Sequence, residues 1–226
     1  MKYISILGDS ISTFEGYNPN GYDVYCDFVL QHNNGITSIN DTWWMKVIQH
    51  MNGSMLVNAS FSGSKVTGQF FPSANHPKRI QDLSTKEHKP DIILIYIGFN
   101  DFGYGIQTRK KPFSRDSVDI FECAYNMMLR GINREYPLAV VVCGTLMKTT
   151  LKTDPTWIFP NHYQGHDINE YNEIIKKACS KNKCILADLA NTNLCYETLD
   201  TSHATVDGHN TIAQAWIKCL NELSLL

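Results

Sequence analysis

The sequence predicts an α/β fold in which a parallel β-sheet lies between layers of helices. Five short runs are apolar without interruption and rich in Ile, Val and Leu. Strands have this composition when helices cover both faces of a parallel sheet, whereas half-exposed strands alternate apolar and polar residues. The predicted strands are residues 3–7, 55–59, 91–97, 138–143 and 184–188.

The segments around these strands have the three-to-four-residue apolar spacing of amphipathic helices. The spacing runs through residues 118–132, 168–178 and 212–223. Asp167, just before the second segment, and Glu170, within its first turn, are residue types of a capping box. Because strands and helices alternate along the chain, we expect a three-layer α/β/α sandwich.

The length of 226 residues suits one domain with a substantial core. No internal repeat or linker divides the sequence, so a single domain over residues 1–226 is expected. Two irregular stretches, residues 11–40 and 146–165, follow the first and fourth predicted strands. Open α/β sheets bind ligands at the carboxyl ends of their strands, so both loops are expected near a binding site.

The charge pattern argues against nucleic-acid and membrane partners. The formal net charge is -2, and the densest basic run, Arg109 to Lys111, is too short to follow a phosphate backbone. The first apolar run is shorter than the roughly 7–15 residues of a secretory signal core, and no stretch approaches the ~20 apolar residues of a membrane span. We expect a soluble, cytoplasmic protein.

The cysteine and histidine spacings predict neither a disulfide framework nor a metal site. Seven cysteines are present without a C-x-x-C pair, and four lie at apolar helix or strand positions, where reduced, buried thiols are expected. These four are Cys123, Cys143, Cys179 and Cys219. His162 and His166 are four residues apart, but we interpret them as surface or substrate-facing residues. No cofactor and no metal are expected.

Ser10 is the first candidate for chemistry. It follows the first predicted strand in the run Gly8-Asp9-Ser10-Ile11. A serine at a strand-to-helix turn projects its hydroxyl from the carboxyl edge of the sheet, although Asp-Ser after a strand is also a common helix cap.

Two further turns follow the second and third predicted strands. The first contains Gly63, and glycine lets a backbone N–H approach a substrate closely. The second contains Asn100 in the run Gly98-Phe99-Asn100-Asp101, and an Asn amide can donate to a developing oxyanion. Each run is also compatible with an ordinary turn.

Asp200 and His203 come just before the last predicted helix. A carboxylate three residues ahead of a histidine can accept the ring Nδ1–H, which leaves Nε2 free to take a proton from a serine. An isolated pair of this kind is more often a helix entry beside a surface histidine. The four sites together, at one edge of a parallel sheet, favour a hydrolytic site.

These four blocks resemble those of the SGNH, or GDSL-type, hydrolases. The run from His203 to His209 is similar to the family pattern H-P-N-x-x-G-H, which selects Asp200 and His203 over Asp207 and His209. The sequence departs from the pattern at Ile11, where Leu is usual, and at Ala204-Thr205, where Pro-Asn is usual. The resemblance implies a flavodoxin-like, five-stranded parallel sheet and ester hydrolysis.

The mechanism implied by the resemblance uses Ser10 as nucleophile, His203 as base and Asp200 as its orienting carboxylate. The backbone N–H groups of Ser10 and Gly63, with the Asn100 amide, would hold the oxyanion. Two other functions stay open. An FMN-binding redox module would leave the Asp200 and His203 pair without a task, and a non-catalytic sugar- or lipid-binding module would have no need of it.

The substrate is expected to be a small ester, with acetylated carbohydrates ahead of lysophospholipids and acyl thioesters. Aromatic and polar residues alternate in both loops, as in sites that stack sugars and bond their hydroxyls. The alternative is that these aromatic residues pack the loops onto the sheet. The loop aromatics are Phe14, Tyr17, Tyr22, Tyr25, Phe28, Trp157, Phe159 and Tyr163, with the polar residues Asn18, Asn20, Asp23, Asn161 and Gln164. Trp43 and Trp44 follow the first loop and are expected to start a core-facing helix. No oligomeric state is predicted.

Overall fold

The computed structural model describes residues 2–26, 34–112 and 115–223. Its strands are β1 (Tyr3–Gly8), β2 (Ser54–Asn58), β3 (Ile92–Tyr96), β4 (Val140–Gly144), β5 (Thr149–Leu151), β6 (His162–Tyr163), β7 (His166–Asp167), β8 (Ile185–Ala187) and β9 (Tyr196–Thr198). Its α-helices are α1 (Trp43–His50), α2 (Pro77–Gln81), α3 (Phe99–Gly103), α4 (Phe121–Glu135), α5 (Ile168–Asn182) and α6 (Val206–Glu222).

Five of the strands form one parallel sheet, and these are the five predicted from the apolar runs. Their order across the sheet is β2-β1-β3-β4-β8, the flavodoxin-like arrangement in which the chain reverses direction beside the first strand. β1 pairs with β3 in continuous register from Ile4 opposite Ile92 to Gly8 opposite Tyr96. The predicted fold class is therefore confirmed.

Helices cover both faces of this sheet, because side chains alternate between the faces along each strand. In β3, Ile93 and Ile95 point toward α2, α4 and α5, whereas Ile92 and Leu94 point toward α1 and α6. Two hydrophobic cores result, one on each side of the sheet. This arrangement is the predicted three-layer sandwich.

Several predicted element boundaries differ from those of the structure, and two of them have a clear physical reason. Helix α4 begins at Phe121 instead of residue 118, because the Val118 carbonyl accepts the Gly68 N–H at 2.9 Å and belongs to a loop contact. Strand β4 begins at Val140 instead of residue 138, because a turn after α4 leaves the Leu138 side chain exposed. In both places an apolar residue continues the pattern without continuing the element.

The stretch 146–165, expected to be irregular, contains part of a second sheet. Its strand β5 pairs in parallel with β9, with Thr149 opposite Tyr196 and Leu151 opposite Thr198. The hairpin of β6 and β7 follows, with His162 opposite Asp167. Since β9 leads into the turn that precedes α6, this small sheet helps to position that turn.

The seven cysteines lie within the described ranges as free thiols. The four expected to be buried are buried, Cys26 and Cys184 are half-buried, and Cys195 is exposed. Across residues 2–26, 34–112 and 115–223, no helix has the length and apolar character needed to cross a bilayer.

Candidate active site

Ser10 lies where β1 ends, as the first residue of a short 3₁₀-helix over Ser10–Ser12. The preceding Asp9 caps this helix, and its Oδ1 accepts the Ile11 N–H at 3.1 Å. The serine side chain points toward the imidazole of His203, with Ser10 Oγ 3.0 Å from Nε2. The geometry thus joins two sequence-predicted residues that are 193 positions apart.

Asp200 holds the histidine from the other side, within the turn between β9 and α6. Its Oδ2 lies 2.6 Å from His203 Nδ1, and its Oδ1 accepts the backbone N–H of His203 at 2.8 Å. The same Oδ1 accepts the N–H of Ser202 at 3.2 Å. A carboxylate on Nδ1 favours the tautomer with its proton there, which leaves the Nε2 lone pair facing Ser10.

The surroundings of Asp200 keep it ionised. Partial burial alone would raise the pKa of Asp200, but the hydrogen bonds from His203 and Ser202 outweigh burial and hold the pKa well below its usual range. A carboxylate that stays charged at neutral pH can stabilise a positive charge on the neighbouring imidazole.

Gly63 and Asn100 are brought next to each other. Asn100 lies in α3, directly after β3, and its Nδ2 donates to the Ser64 carbonyl at 2.9 Å. Gly63 has a positive φ of 71°, and the space that a Cβ would occupy is open. The loop of Gly63 is tied to the end of β1, because the Phe61 N–H donates to the Gly8 carbonyl at 3.2 Å.

A buried arginine that the sequence analysis missed fixes the edge of the sheet. Arg79 of α2 is fully buried, and its guanidinium donates to the carbonyls of Gly8 and Ala59 at 2.9 Å each, as well as to that of Pro72. These bonds tie the ends of β1 and β2 together next to Ser10. No spacing in the sequence distinguishes Arg79 from a surface residue of a helix.

Two buried carboxyl groups lie behind the site. Burial raises the pKa of Asp9 to about 7, and no hydrogen-bond partner for its Oδ2 lies in the part of the chain that the structure describes. Burial also raises the pKa of Asp101 to about 6, although this carboxyl accepts bonds from Val66 and Thr67. Asp101 thereby shapes the loop that carries Gly63.

The second histidine near the C-terminus has a structural position. His209 is buried in α6, and its Nδ1 accepts the N–H of Trp43 at 3.0 Å, at the start of α1. Burial lowers the pKa of His209 to about 3, so this imidazole is neutral under ordinary conditions. The structure therefore places His203, and not His209, against Ser10.

Half of the ten candidate sugar-binding aromatics are buried in the protein, as the alternative interpretation holds, and two of these, Trp43 and Trp44, begin α1. Five of them are buried: Phe14, Tyr22, Trp43, Trp44 and Phe159. Asn18 is likewise used internally, since its Nδ2 donates to the carbonyls of Asn58 and Ser60. Phe28 lies outside the described residues. Tyr17, Tyr25, Trp157 and Tyr163 keep exposed or half-buried rings.

His162 and His166 lie on the β6–β7 hairpin. The His162 side chain is largely exposed, 3.5 Å from Asp167, and His166 Nδ1 lies 3.3 Å from Glu170. Over the described ranges, no group of three or more His, Cys, Asp or Glu residues is arranged to hold a metal ion.

At the edge of the parallel sheet, a serine is hydrogen-bonded to a histidine and the histidine to an aspartate. This arrangement is typical of the serine hydrolases as a class. Within that class, the family model of GDSL-like lipases and acylhydrolases matches residues 2–216, and the chain belongs to this family. Membership supports an ester hydrolase.

Solved structures are similar over the whole fold. A putative GDSL-like lipase from Bacteroides ovatus is 23% identical, with a TM-score of 0.73 over 98% of this chain and 99% of that one. A second, from Bacteroides uniformis, is 22% identical, with a TM-score of 0.74 over 100% and 97%. A possible lipase from Chitinophaga pinensis is 15% identical, with a TM-score of 0.66 over the full length of both. No curated protein gives a significant match.

Proposed function

We propose that this protein hydrolyses carboxylic esters, with Ser10 as nucleophile, His203 as general base and Asp200 as the carboxylate that orients the base. The observation that carries the proposal is the continuous path of hydrogen bonds, 3.0 Å from Ser10 Oγ to Nε2 and 2.6 Å from Nδ1 to Asp200. Nucleophile and base within hydrogen-bond reach, with the base held by a third group, is the arrangement that activates a serine.

The reaction begins as His203 Nε2 takes the Ser10 proton while Oγ attacks the ester carbonyl carbon. The alcohol leaves with that proton, and an acyl-enzyme remains. Water then attacks the acyl carbon while His203 removes its proton, the bond from that carbon to Ser10 Oγ breaks, Oγ takes the proton back from His203, and the carboxylic acid leaves. During both steps the imidazole becomes positively charged, and the Asp200 carboxylate 2.6 Å away stabilises it.

Three donors are assigned to stabilise the negative charge that develops on the carbonyl oxygen. They are the backbone N–H groups of Ser10 and Gly63 and the side-chain amide of Asn100. Support comes from the Asn100 bond to Ser64, which fixes one amide hydrogen and leaves the second for another acceptor. Loss of one oxyanion donor typically lowers kcat by about 10²–10³-fold.

We propose short-acyl esters as substrates, with acetylated carbohydrates as the leading class. Fewer aromatic rings are accessible for stacking on a sugar than the sequence indicated. Trp157 and Tyr163 lie in the loop packed on α3, where Phe159 contacts Phe99 and Phe102 with ring centroids 6.2 and 5.8 Å apart. Half-exposed rings next to the helix that carries Asn100 suit stacking on a sugar face.

A second candidate is a longer acyl chain, as in lysophospholipids or acyl thioesters. Ile158 is 85% exposed in the same loop, and Phe70 is 76% exposed in the loop that follows Gly63. Exposed apolar side chains around a hydrolytic site would suit contact with an aliphatic chain.

A substrate series separates these candidates. kcat/KM is measured for p-nitrophenyl acetate, octanoate and palmitate, followed by acetate release from acetylated xylan and from sugar acetates. A preference for acetate supports short-acyl substrates, and acetate release from a sugar supports the carbohydrate class. A tenfold preference for octanoate or longer would favour the second candidate.

The assignment of the nucleophile is tested with Ser10→Ala. Removal of a serine nucleophile costs about 10⁶-fold in kcat in a well-studied protease, and a similar loss is expected here. A fluorophosphonate probe should label the wild-type chain and leave the variant unlabelled. Activity within tenfold of wild type would reject ester hydrolysis through Ser10, and lack of labelling in an inactive wild type would favour a non-catalytic binding module.

A further inference from the structure

We propose that Tyr25 is a positioning residue for the base, acting as a flat aromatic support on which the protonated ring of His203 is stabilised. The inference rests on the proposed function, because it assigns to Tyr25 a task only if His203 becomes charged during catalysis. Nothing in the four sequence blocks includes this tyrosine.

The geometry of the two rings carries the inference. Their centroids are 3.4 Å apart and their planes differ by 5°, so the phenol lies face to face with the imidazole. One face of His203 is thereby covered, and the hydrogen bonds of Nδ1 and Nε2 lie in the plane of the ring. The stack restricts tilting of the imidazole away from Ser10.

Tyr25 is also connected to the nucleophile through its backbone. Its N–H donates to Thr13 Oγ1 at 2.9 Å, and the same hydroxyl donates to the Ser10 carbonyl at 3.0 Å. The main chain of Tyr25 is thus fixed to the turn of Ser10, while its ring lies on His203. A single residue links the two partners of the proton transfer.

The charge distribution of the stack favours the protonated state of the base. The face of an aromatic ring carries partial negative charge, which attracts a cation within about 6 Å of the centroid. Burial, together with the charge of Asp200 and a hydrogen bond to it, raises the pKa of Tyr25 well above its usual range. The phenol therefore stays neutral at working pH and its hydroxyl is available to Asp200.

Two other titratable groups act on His203. Asp200 binds Nδ1 from within the same turn, and the buried Asp9 interacts with the imidazole from the end of β1. Because the Tyr25 hydroxyl also bonds to Asp200, a change in the pH profile reports on the stack only where Tyr25→Leu or Tyr25→Met shows it and Tyr25→Phe does not.

The test compares Tyr25→Phe, which keeps the aromatic face and removes the hydroxyl, with Tyr25→Leu and Tyr25→Met, which remove the face. Tyr3→Leu is a matched control, because Tyr3 also stacks on a histidine, His88, with centroids 4.6 Å apart at the opposite end of β1. Each variant is measured with p-nitrophenyl acetate for kcat, KM and the pH dependence of kcat/KM, and its folding is checked by circular dichroism and thermal unfolding.

We expect Tyr25→Leu and Tyr25→Met to lower kcat about tenfold with little change in KM. The acidic limb of kcat/KM should move to lower pH by about half to one unit, because the protonated ring loses its support. Tyr25→Phe should stay within about threefold of wild type, with an unchanged acidic limb, and Tyr3→Leu should match wild type.

Two results would overturn the inference. One is a wild-type kcat and acidic limb in a folded Tyr25→Leu or Tyr25→Met variant. The other is equal damage from Tyr25→Phe, with no shift of the limb in any variant, since the hydroxyl would then be the important group. Failure of the proposed function is distinguished by Ser10→Ala: if that variant stays active, the serine mechanism itself is wrong, whatever Tyr25 does.

Discussion

Replacement of Asp200 by Asn reverses the hydrogen-bonding preference of the histidine while leaving the turn intact. An Asn Oδ1 can still accept the N–H groups of Ser202 and His203, which Asp200 Oδ1 now accepts at 3.2 and 2.8 Å. The amide nitrogen then faces Nδ1, where the carboxylate oxygen lies at 2.6 Å. Since an amide N–H donates and cannot accept a hydrogen bond, Nδ1 must accept it, and the imidazole adopts the tautomer with hydrogen on Nε2, aimed at Ser10.

The expected loss is large because the base is then in the wrong form. The same change in a well-studied serine protease lowers kcat by about 10⁴-fold, which is about 5.5 kcal/mol in activation free energy. The Asp200 side chain is 46% exposed, so water partly replaces the lost interaction. We therefore expect a loss of about 10³–10⁴-fold in kcat.

The assay is steady-state hydrolysis of p-nitrophenyl acetate, with thermal unfolding as the check on folding. Asp207→Asn is the matched control, because Asp207 lies four residues beyond His203 in the first turn of α6 and has no contact with the imidazole among the hydrogen bonds described. It should retain wild-type activity. A folded Asp200→Asn variant with less than a tenfold loss would refute the assignment of this carboxylate.

Three further predictions concern histidine choice, pH and metal. His203→Ala should lower kcat nearly as much as Ser10→Ala. His209→Ala should retain most activity per folded molecule but lose about 1–3 kcal/mol of stability, because the buried Trp43 N–H loses its acceptor. The opposite pattern in kinetics and thermal unfolding would contradict this choice of histidine. Because burial raises the pKa of Asp9 to about 7, its ionisation opposes folding, and the free energy of unfolding of wild type relative to Asp9→Asn should fall as pH rises from about 4 to 7. Denaturant unfolding at several pH values measures this difference. A difference that does not change with pH would contradict the raised pKa. EDTA should leave ester hydrolysis unchanged, and a large loss restored by zinc would show a metal requirement.

The strands were predictable because burial on both faces leaves a strong signal in the sequence. All five apolar runs became strands of the main sheet, with ends displaced by one or two residues. The ends of elements were less certain because turn residues such as Val118 before α4 and Leu138 before β4 are apolar too. Apolar character indicates a preference for burial, and only the packed chain decides whether a terminal residue is covered.

The roles of the loop aromatics could not be read from composition. Tyr22 packs against Phe61 and Phe71, whereas Tyr25, three residues later, lies on His203. Both are tyrosines in the same irregular stretch. Their different surroundings come from contacts with segments far away in the chain, which no local pattern records.

The sequence alone determined the sheet and the four candidate blocks, because these depend on local spacing and on the rule that parallel strands end at one edge. The resemblance to the GDSL-type pattern gave the preference for His203 over His209. The tertiary structure decided how the blocks meet. It brought Ser10 within 3.0 Å of His203, tied the strand ends through the buried Arg79, and placed Tyr25 against the imidazole. These contacts join residues that are distant in sequence, so they exist only once the chain has closed around its two cores.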